Sequence, residues 1–209
     1  MDLPCTHSVC CRPLELMCIL RRSLVMKKTA LLTLILVIPA IVNADEFVID
    51  GSGAGMHTSI QFKASHIGIS SLWGRFNEIT GRFSYDADDI GASTIEVNIN
   101  PASIDSNHGA RDDHLRTGDF LDVERFPAAS FTSTSVTDLG DGRIQVNGSF
   151  TLHGVTNDIS FEAVRTGEGA TPFGDYRVGF EGELTLNTGD YGINAGTVEL
   201  ILAIEGIRQ

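Results

Sequence analysis

The densest group of side chains that could do chemistry lies between residues 103 and 127, in the run SIDSNHGARDDHLRTGDFLDVERFP. As a metal site this run would offer His108, Asp112 and His114 as ligands. On a helix, however, His114 lies about 120° around the axis from His108, and the run contains no H-E-x-x-H pattern. A histidine beside an aspartate could serve acid–base catalysis, yet the chain contains no G-x-S-x-G nucleophile motif. We therefore predict no catalytic residue, no metal and no cofactor.

Two other interpretations of the same run remain open. In the first, alternating arginines and aspartates form ion pairs and caps that pin the segment over the mouth of a barrel, and this interpretation is favoured. In the second, polar side chains of the segment contact the headgroup of a ligand at that mouth. The side chains that would make this contact are His108, Arg111, Asp112, His114 and Arg116.

The N-terminal region has the layout of a secretory signal peptide. Residues 27–44 read KKTALLTLILVIPAIVNA, in which two lysines precede an apolar run that ends on small residues. Such a run is too short and wrongly flanked for a membrane-spanning helix, and cleavage is predicted after Ala44. Met26 stands where an initiator belongs. The predicted organisation is an upstream over-extension at 1–25, a signal peptide at 26–44 and one domain at 45–209.

Removal of the first 44 residues would change the chemistry of the chain. All four cysteines lie within residues 1–25, so the predicted mature chain forms no disulfide. The whole chain has a formal charge of −12, and the removed part carries five basic and only two acidic residues. The mature protein is therefore strongly acidic, which disfavours nucleic acid and anionic lipid surfaces as partners. No second apolar stretch could span a bilayer, so we predict no stable membrane insertion.

Alternation with a period of two dominates the chain from Asp45 onward and is typical of half-buried strands. In RIQVNGSFTL at 143–152, apolar and polar residues fall on opposite faces, and Gly148 falls on the apolar face. His153 and Gly154 then form a turn into the next strand. Eight alternating stretches are predicted: 57–66, 73–85, 93–100, 129–136, 143–152, 156–164, 176–187 and 196–206. The short stretch 47–49 could add an edge piece.

One segment, 110–121, has the composition of a helix and lies between two prolines. Eight strands with almost no helix could form a sandwich or a barrel. Many of the strands are long and contain glycines, and this favours an eight-stranded antiparallel β-barrel, which also has no exposed edges. The apolar faces would then line its lumen, where large rings alternate with small residues.

Four blocks of the sequence resemble the YceI-like family, also called polyisoprenoid-binding periplasmic proteins. The first is SIDSNHGARDDHLRTGDFLDVERFPAASFTSTSV, and the others are FKASHIGISSLWGRF, GSFTLHGVTNDISFEA and GFEGEL. The resemblance runs from Phe47 to the C-terminus. It departs at Asn157, where a basic residue is common, and at DYGI (190–193), which takes the place of D-F-G-I.

The resemblance implies a lipocalin-like barrel that encloses one long amphiphile, an isoprenoid quinone or another polyprenyl lipid, in the periplasm. It also implies frequent dimers. We therefore predict a periplasmic carrier rather than an enzyme, with a ligand-free stress or protein-interaction module as the alternative. The residues predicted to contact the ligand in the lumen are Ile60, Phe62, Ala64, Trp73, Phe76, Phe83, Val97, Phe131, Val146, Phe150, Phe161, Phe180, Leu184, Leu200 and Leu202.

Overall fold

The computed structural model describes residues 44–51 and 57–209. The predicted over-extension, the cysteines and all but the last residue of the predicted signal peptide lie outside these ranges. In the described part the chain forms eleven strands and one α-helix, α1 (Gly109–Arg116). The strands are β1 (Asp45–Gly51), β2 (Ser59–His66), β3 (Ser70–Phe76), β4 (Ile79–Tyr85), β5 (Ile95–Ile99), β6 (Ile104–Asp105), β7 (Ala129–Gly140), β8 (Arg143–Leu152), β9 (Val155–Ala170), β10 (Tyr176–Asn187) and β11 (Thr197–Arg208).

The eleven segments make up eight barrel strands, because three barrel strands are interrupted. β1 and β2 pair with the same edge of β11, at opposite ends of it. The next barrel strand consists of β3, which pairs with β2, and β4, which pairs with β1. The third consists of β5, which pairs with β4, and β6, which pairs with β3. All pairings are antiparallel, and each barrel strand pairs with its neighbours in the chain. The pairing of β1 and β2 with β11 joins the first barrel strand to the last and closes the sheet. The predicted eight-stranded antiparallel barrel is confirmed.

The stretch at 47–49 is not an edge piece. Phe47, Val48 and Ile49 pair with β4 on one side and with the end of β11 on the other, so they belong to the closed wall. Their alternation fits this position, since Phe47 and Ile49 are buried and Val48 is exposed. The ring of Phe47 stacks on that of Phe83, with 5.1 Å between centroids.

The predicted hairpin of β8 and β9 follows its sequence pattern closely. Ile144, Val146 and Phe150 are buried on the inner face. On the outer face, Gln145 and Asn147 hydrogen-bond to Ser160 of β9. The turn residues His153 and Gly154 both have positive φ, +52° and +75°, as a two-residue turn that matches the twist of the strands requires.

The predicted helix is also present, but it is shorter than the segment 110–121. Thr117 accepts backbone hydrogen bonds from Phe120 and Asp122, and this turn replaces further helix. The sequence T-G-D at 117–119 favours such a turn because all three residues are poor helix formers.

Gly148 lies on the inner face of β8, as the alternation predicts, but the space beside it is occupied. A Cβ at residue 148 would lie 2.4 Å from the backbone oxygen of Thr132 and 2.5 Å from the ring of Phe131. In the same way, the ring of Phe62 occupies the space beside Gly74, and the ring of Phe83 occupies the space beside Gly206. Glycine therefore widens the lumen indirectly, by letting large rings lie against the wall instead of standing into the interior.

Replacing Gly148 with alanine should destabilise the barrel by about 1–3 kcal/mol, because the added methyl group overpacks the contacts with the Phe131 ring and the Thr132 backbone. Urea-induced unfolding would measure this loss. Gly169→Ala is the matched control, since a Cβ at residue 169 meets no atom within 4 Å. Equal stability of the two variants would contradict the role assigned to Gly148.

Candidate functional site

The barrel encloses two adjoining cavities. A narrow one of about 120 Å³ lies in the half formed by β4, β5 and β7–β11, and a wide one of about 660 Å³ lies beside α1. Ile60, Ile99, Phe150 and Leu200 line both cavities. The two cavities therefore meet at this layer of side chains, and together they run along the barrel. We call them the deep cavity and the wide cavity.

Fourteen of the fifteen side chains predicted for the lumen border one or both cavities. Those that line the deep cavity alone are Phe83, Val97, Phe131, Val146, Phe161, Phe180, Leu184 and Leu202. Those that line the wide cavity alone are Phe62, Ala64 and Phe76. Ile60, Phe150 and Leu200 lie between them and line both.

The predicted lumen position of Trp73 is wrong. Trp73 lies on the outer face of β3 with 52% of its surface exposed, and the ammonium of Lys63 lies 5.9 Å from its ring centroid. Residues 73 and 76 are three apart, so an uninterrupted strand cannot place both on one face. Leu72 and Phe76 take the inward positions, and the alternation restarts after the break at Asn77 and Glu78.

Sequence reasoning missed several lining residues, for two different reasons. Tyr85 follows Phe83 on the same face of β4, so the period of two could have identified it. By contrast, Thr188, Ile193 and Ala195 line the wide cavity from the connection between β10 and β11, where no periodic signal exists.

The interior is not filled by the side chains of the barrel itself. Phe180, Leu184, Leu200, Leu202 and Ile204 point inward and pack against the core, yet each stays only partly buried. The surface that they keep accessible borders the cavities. An eight-stranded barrel is just wide enough either to pack solid or to hold one small guest, and this barrel has the second kind of interior.

The wide cavity is bounded on one side by the segment between β6 and β7, residues 106–128. Leu115, Phe120 and Leu121 of this segment turn apolar surface toward the cavity. Arg111 also borders it, but its guanidinium donates to the hydroxyl and the carbonyl of Ser106, at 2.7 and 2.5 Å.

Arg116 ties α1 to the barrel wall. Its guanidinium donates to the carbonyl oxygens of Ala102 and Ile104, both at 2.8 Å, and to the carboxylate of Asp113 at 3.0 Å. Buried Asp112 accepts hydrogen bonds from the backbone and the hydroxyl of Ser106. These contacts support the interpretation in which the charged residues of the segment pin it to the barrel.

Only two of the five residues predicted at the mouth, Arg111 and His114, border the wide cavity. The other three do not line it, and contact of any of the five with a headgroup stays a prediction. His108 caps α1 by accepting from the backbone amide of Arg111, while Asp112 and Arg116 make the bonds described above. Nε2 of His114 lies 3.1 Å from Oδ2 of Asp119, and its ring packs edge-on against Phe120.

No group of three or more potential metal ligands occurs among the described residues.

Polar groups border the deep cavity at the end away from α1. Tyr85 lines it, and burial raises the pKa of the Tyr85 hydroxyl above its ordinary value. The guanidinium of Arg165 lies near it and forms an ion pair with Glu168 at 3.0 Å.

Comparisons with known proteins agree with this architecture. The chain matches the model of the YceI-like domain over residues 52–205. A protein of Shewanella denitrificans named "UPF0312 protein" is 47% identical, with 88% of this chain and all of the relative covered. Within the described part, no helix has the length and apolar composition needed to cross a bilayer.

Two solved structures share the fold at low identity. Burkholderia cenocepacia BcnA has a TM-score of 0.65 and 16% identity, with 71% of this chain and 95% of BcnA covered. A polyisoprenoid binding domain from Saccharophagus degradans has a TM-score of 0.62 and 17% identity, with 79% and 99% covered. At these identities the likeness concerns the fold.

Arg116→Ala should destabilise the protein by about 1–3 kcal/mol, because two carbonyl oxygens lose a charged donor. Urea-induced unfolding measures the change. Arg75→Ala is the control, because Arg75 is exposed and forms a surface ion pair with Asp105 at 3.5 Å. Its loss should cost less than about 1 kcal/mol. If Arg116→Ala cost no more than the control, Arg116 would not pin the segment.

Proposed function

Because the chain belongs to the YceI-like family, we propose that it binds one long apolar amphiphile, an isoprenoid lipid, in the barrel and carries it through the periplasm. The observation that carries this proposal is the interior. Its lining is almost entirely hydrocarbon, and its inward side chains leave two adjoining cavities unfilled.

The shape of the interior suits a chain-like guest better than a compact one. The wide cavity, at about 660 Å³, falls within the range of pockets that bind small molecules, and the deep cavity extends it as a narrow channel. Each methylene group moved from water into such surroundings contributes roughly 0.8 kcal/mol. A long tail could therefore bind tightly without a directional contact.

The choice of an isoprenoid as the guest rests on a solved structure that shares this fold. The Saccharophagus degradans domain, which shares the fold, is a polyisoprenoid binding domain. Fold likeness at 17% identity does not carry a ligand from one protein to another, so the isoprenoid is part of the proposal. We propose binding and transport without catalysis.

The periplasmic role depends on export through the predicted signal peptide. If residues 26–44 direct export, the protein recovered from the periplasm should begin at Asp45. Intact mass and N-terminal sequencing of the recovered protein would test this. A periplasmic fraction that lacks the protein, or a mature form that keeps residues 26–44, would contradict the proposal.

Lipid binding can be tested by organic extraction of the purified protein, followed by mass spectrometry. We expect an isoprenoid lipid in the extract, at up to one molecule per barrel. An extract without lipid would instead favour the protein-interaction alternative.

Ala163→Phe should sharply reduce the lipid recovered, or shorten its tail. Ala163 lines the deep cavity opposite Gly182 of β10, so a ring at residue 163 would block a narrow channel. Val164→Phe is the matched control, because the next residue of β9 faces outward and is 43% exposed. Circular dichroism would show whether both variants are folded. Unchanged lipid amount and tail length in folded Ala163→Phe would contradict a guest in the deep cavity.

A further inference from the structure

Two residues that carry hydroxyl groups, Tyr85 and Ser93, line the far end of the deep cavity. Phe83 of β4 pairs with Ile95 of β5, and the next pair, Ser84 and Thr94, is joined by backbone and side-chain hydrogen bonds. Tyr85 ends β4, and Ser93 lies two residues before β5 begins. Both residues line the deep cavity, whose other walls are nearly all hydrocarbon.

Ser93 is an unusual residue for this position. Its Oγ is buried and has no hydrogen-bond partner among the residues that the structure describes. Buried hydroxyl groups are nearly always hydrogen-bonded, so an unpartnered one beside a cavity needs an explanation. A polar atom of a bound guest would supply the missing partner.

Arg165 completes the polar end. Arg165 pairs with Phe180 in the register of β9 and β10, and Phe180 lines the deep cavity, so both side chains leave the strands on the inner side. The Arg165 guanidinium lies near the Tyr85 hydroxyl and is also paired with Glu168. This pair balances its own charge. The polar end therefore offers neutral hydroxyl donors and little net charge.

In the wide cavity, the charged side chains near α1 are engaged within the protein. Arg111 bonds twice to Ser106, and His114 contacts Asp119. By contrast, Ser93 at the deep end has no such bond among the described residues. The other buried hydroxyl without a partner among the described residues belongs to Tyr191, which lines neither cavity.

We infer that Tyr85 and Ser93 form a binding site for an uncharged hydrogen-bond acceptor, such as a carbonyl oxygen, at one end of the guest. The inference rests on the proposed function and adds an orientation: the polar end lies deepest, and the apolar tail extends toward the wide cavity. A carboxylate fits less well, because the nearby guanidinium already has an anionic partner and burial of a second anion is unfavourable. Arg165 acts as a positioning residue for the Tyr85 hydroxyl.

The test uses three probes of equal carbon number: a long-chain methyl ketone, the corresponding alkane and the corresponding fatty acid. Their affinities can be measured by displacement of a fluorescent apolar dye from the delipidated protein. The wild type should bind the ketone most tightly. Tyr85→Phe and Ser93→Ala should each weaken ketone binding about tenfold, the loss expected for one hydrogen bond, and leave alkane binding unchanged.

Tyr176→Phe is the matched control for Tyr85→Phe. It removes the same hydroxyl atom from a tyrosine that lies near Tyr85 but lines neither cavity and packs against Arg208. The control should bind all three probes like the wild type. A second comparison, Arg111→Ala, probes the other end of the barrel and should leave the preference for the ketone intact.

The outcomes separate this inference from the proposed function. Equal affinity of the wild type for ketone and alkane would overturn the inference, and so would loss of the preference in Arg111→Ala but not in Tyr85→Phe or Ser93→Ala. In both cases binding of the alkane would still support a lipid-binding barrel. Failure of the wild type to bind any probe would refute the proposed function itself.

Discussion

Each barrel strand must turn its apolar residues inward while both of its backbone edges find partners, and closure at β11 satisfies both requirements. β11 pairs with β10 along one edge and with β1 and β2 along the other. Without these last pairings the sheet would have two open edges and one apolar face in water, which is a combination prone to aggregation. The channel, its lining and its polar end all depend on this closure.

A barrel that keeps a cavity must gain its stability from the wall. The rings of Phe62, Phe83 and Phe131 meet this need because each lies against a glycine of a nearby strand. They bury large apolar surfaces without crossing the lumen. Stability and capacity would otherwise compete, since any side chain that filled the channel would improve packing and exclude a guest.

The period-two pattern predicted the strands, the closed barrel and most of the channel lining, because alternation follows directly from backbone geometry. The pattern predicted the wrong face for Trp73, because the break at Asn77 and Glu78 shifts the alternation by one residue. The segment around α1 was harder to interpret. Residue types identified a charged cluster, but the partners of Arg116 are carbonyl oxygens, whose positions only the folded chain defines. Hydroxyl groups such as that of Ser93 give no pattern at all.

The interrupted first strand also bears on how the chain acquires its structure. Residues 47–49 pair with residues 206–208, so the contacts that close the barrel join segments near the two ends of the domain sequence. Such non-local contacts raise the contact order, and β-rich domains of high contact order fold on the scale of milliseconds to seconds. The ring can close only after β11 is available, so an incompletely synthesised chain has no sealed interior in which to hold a guest.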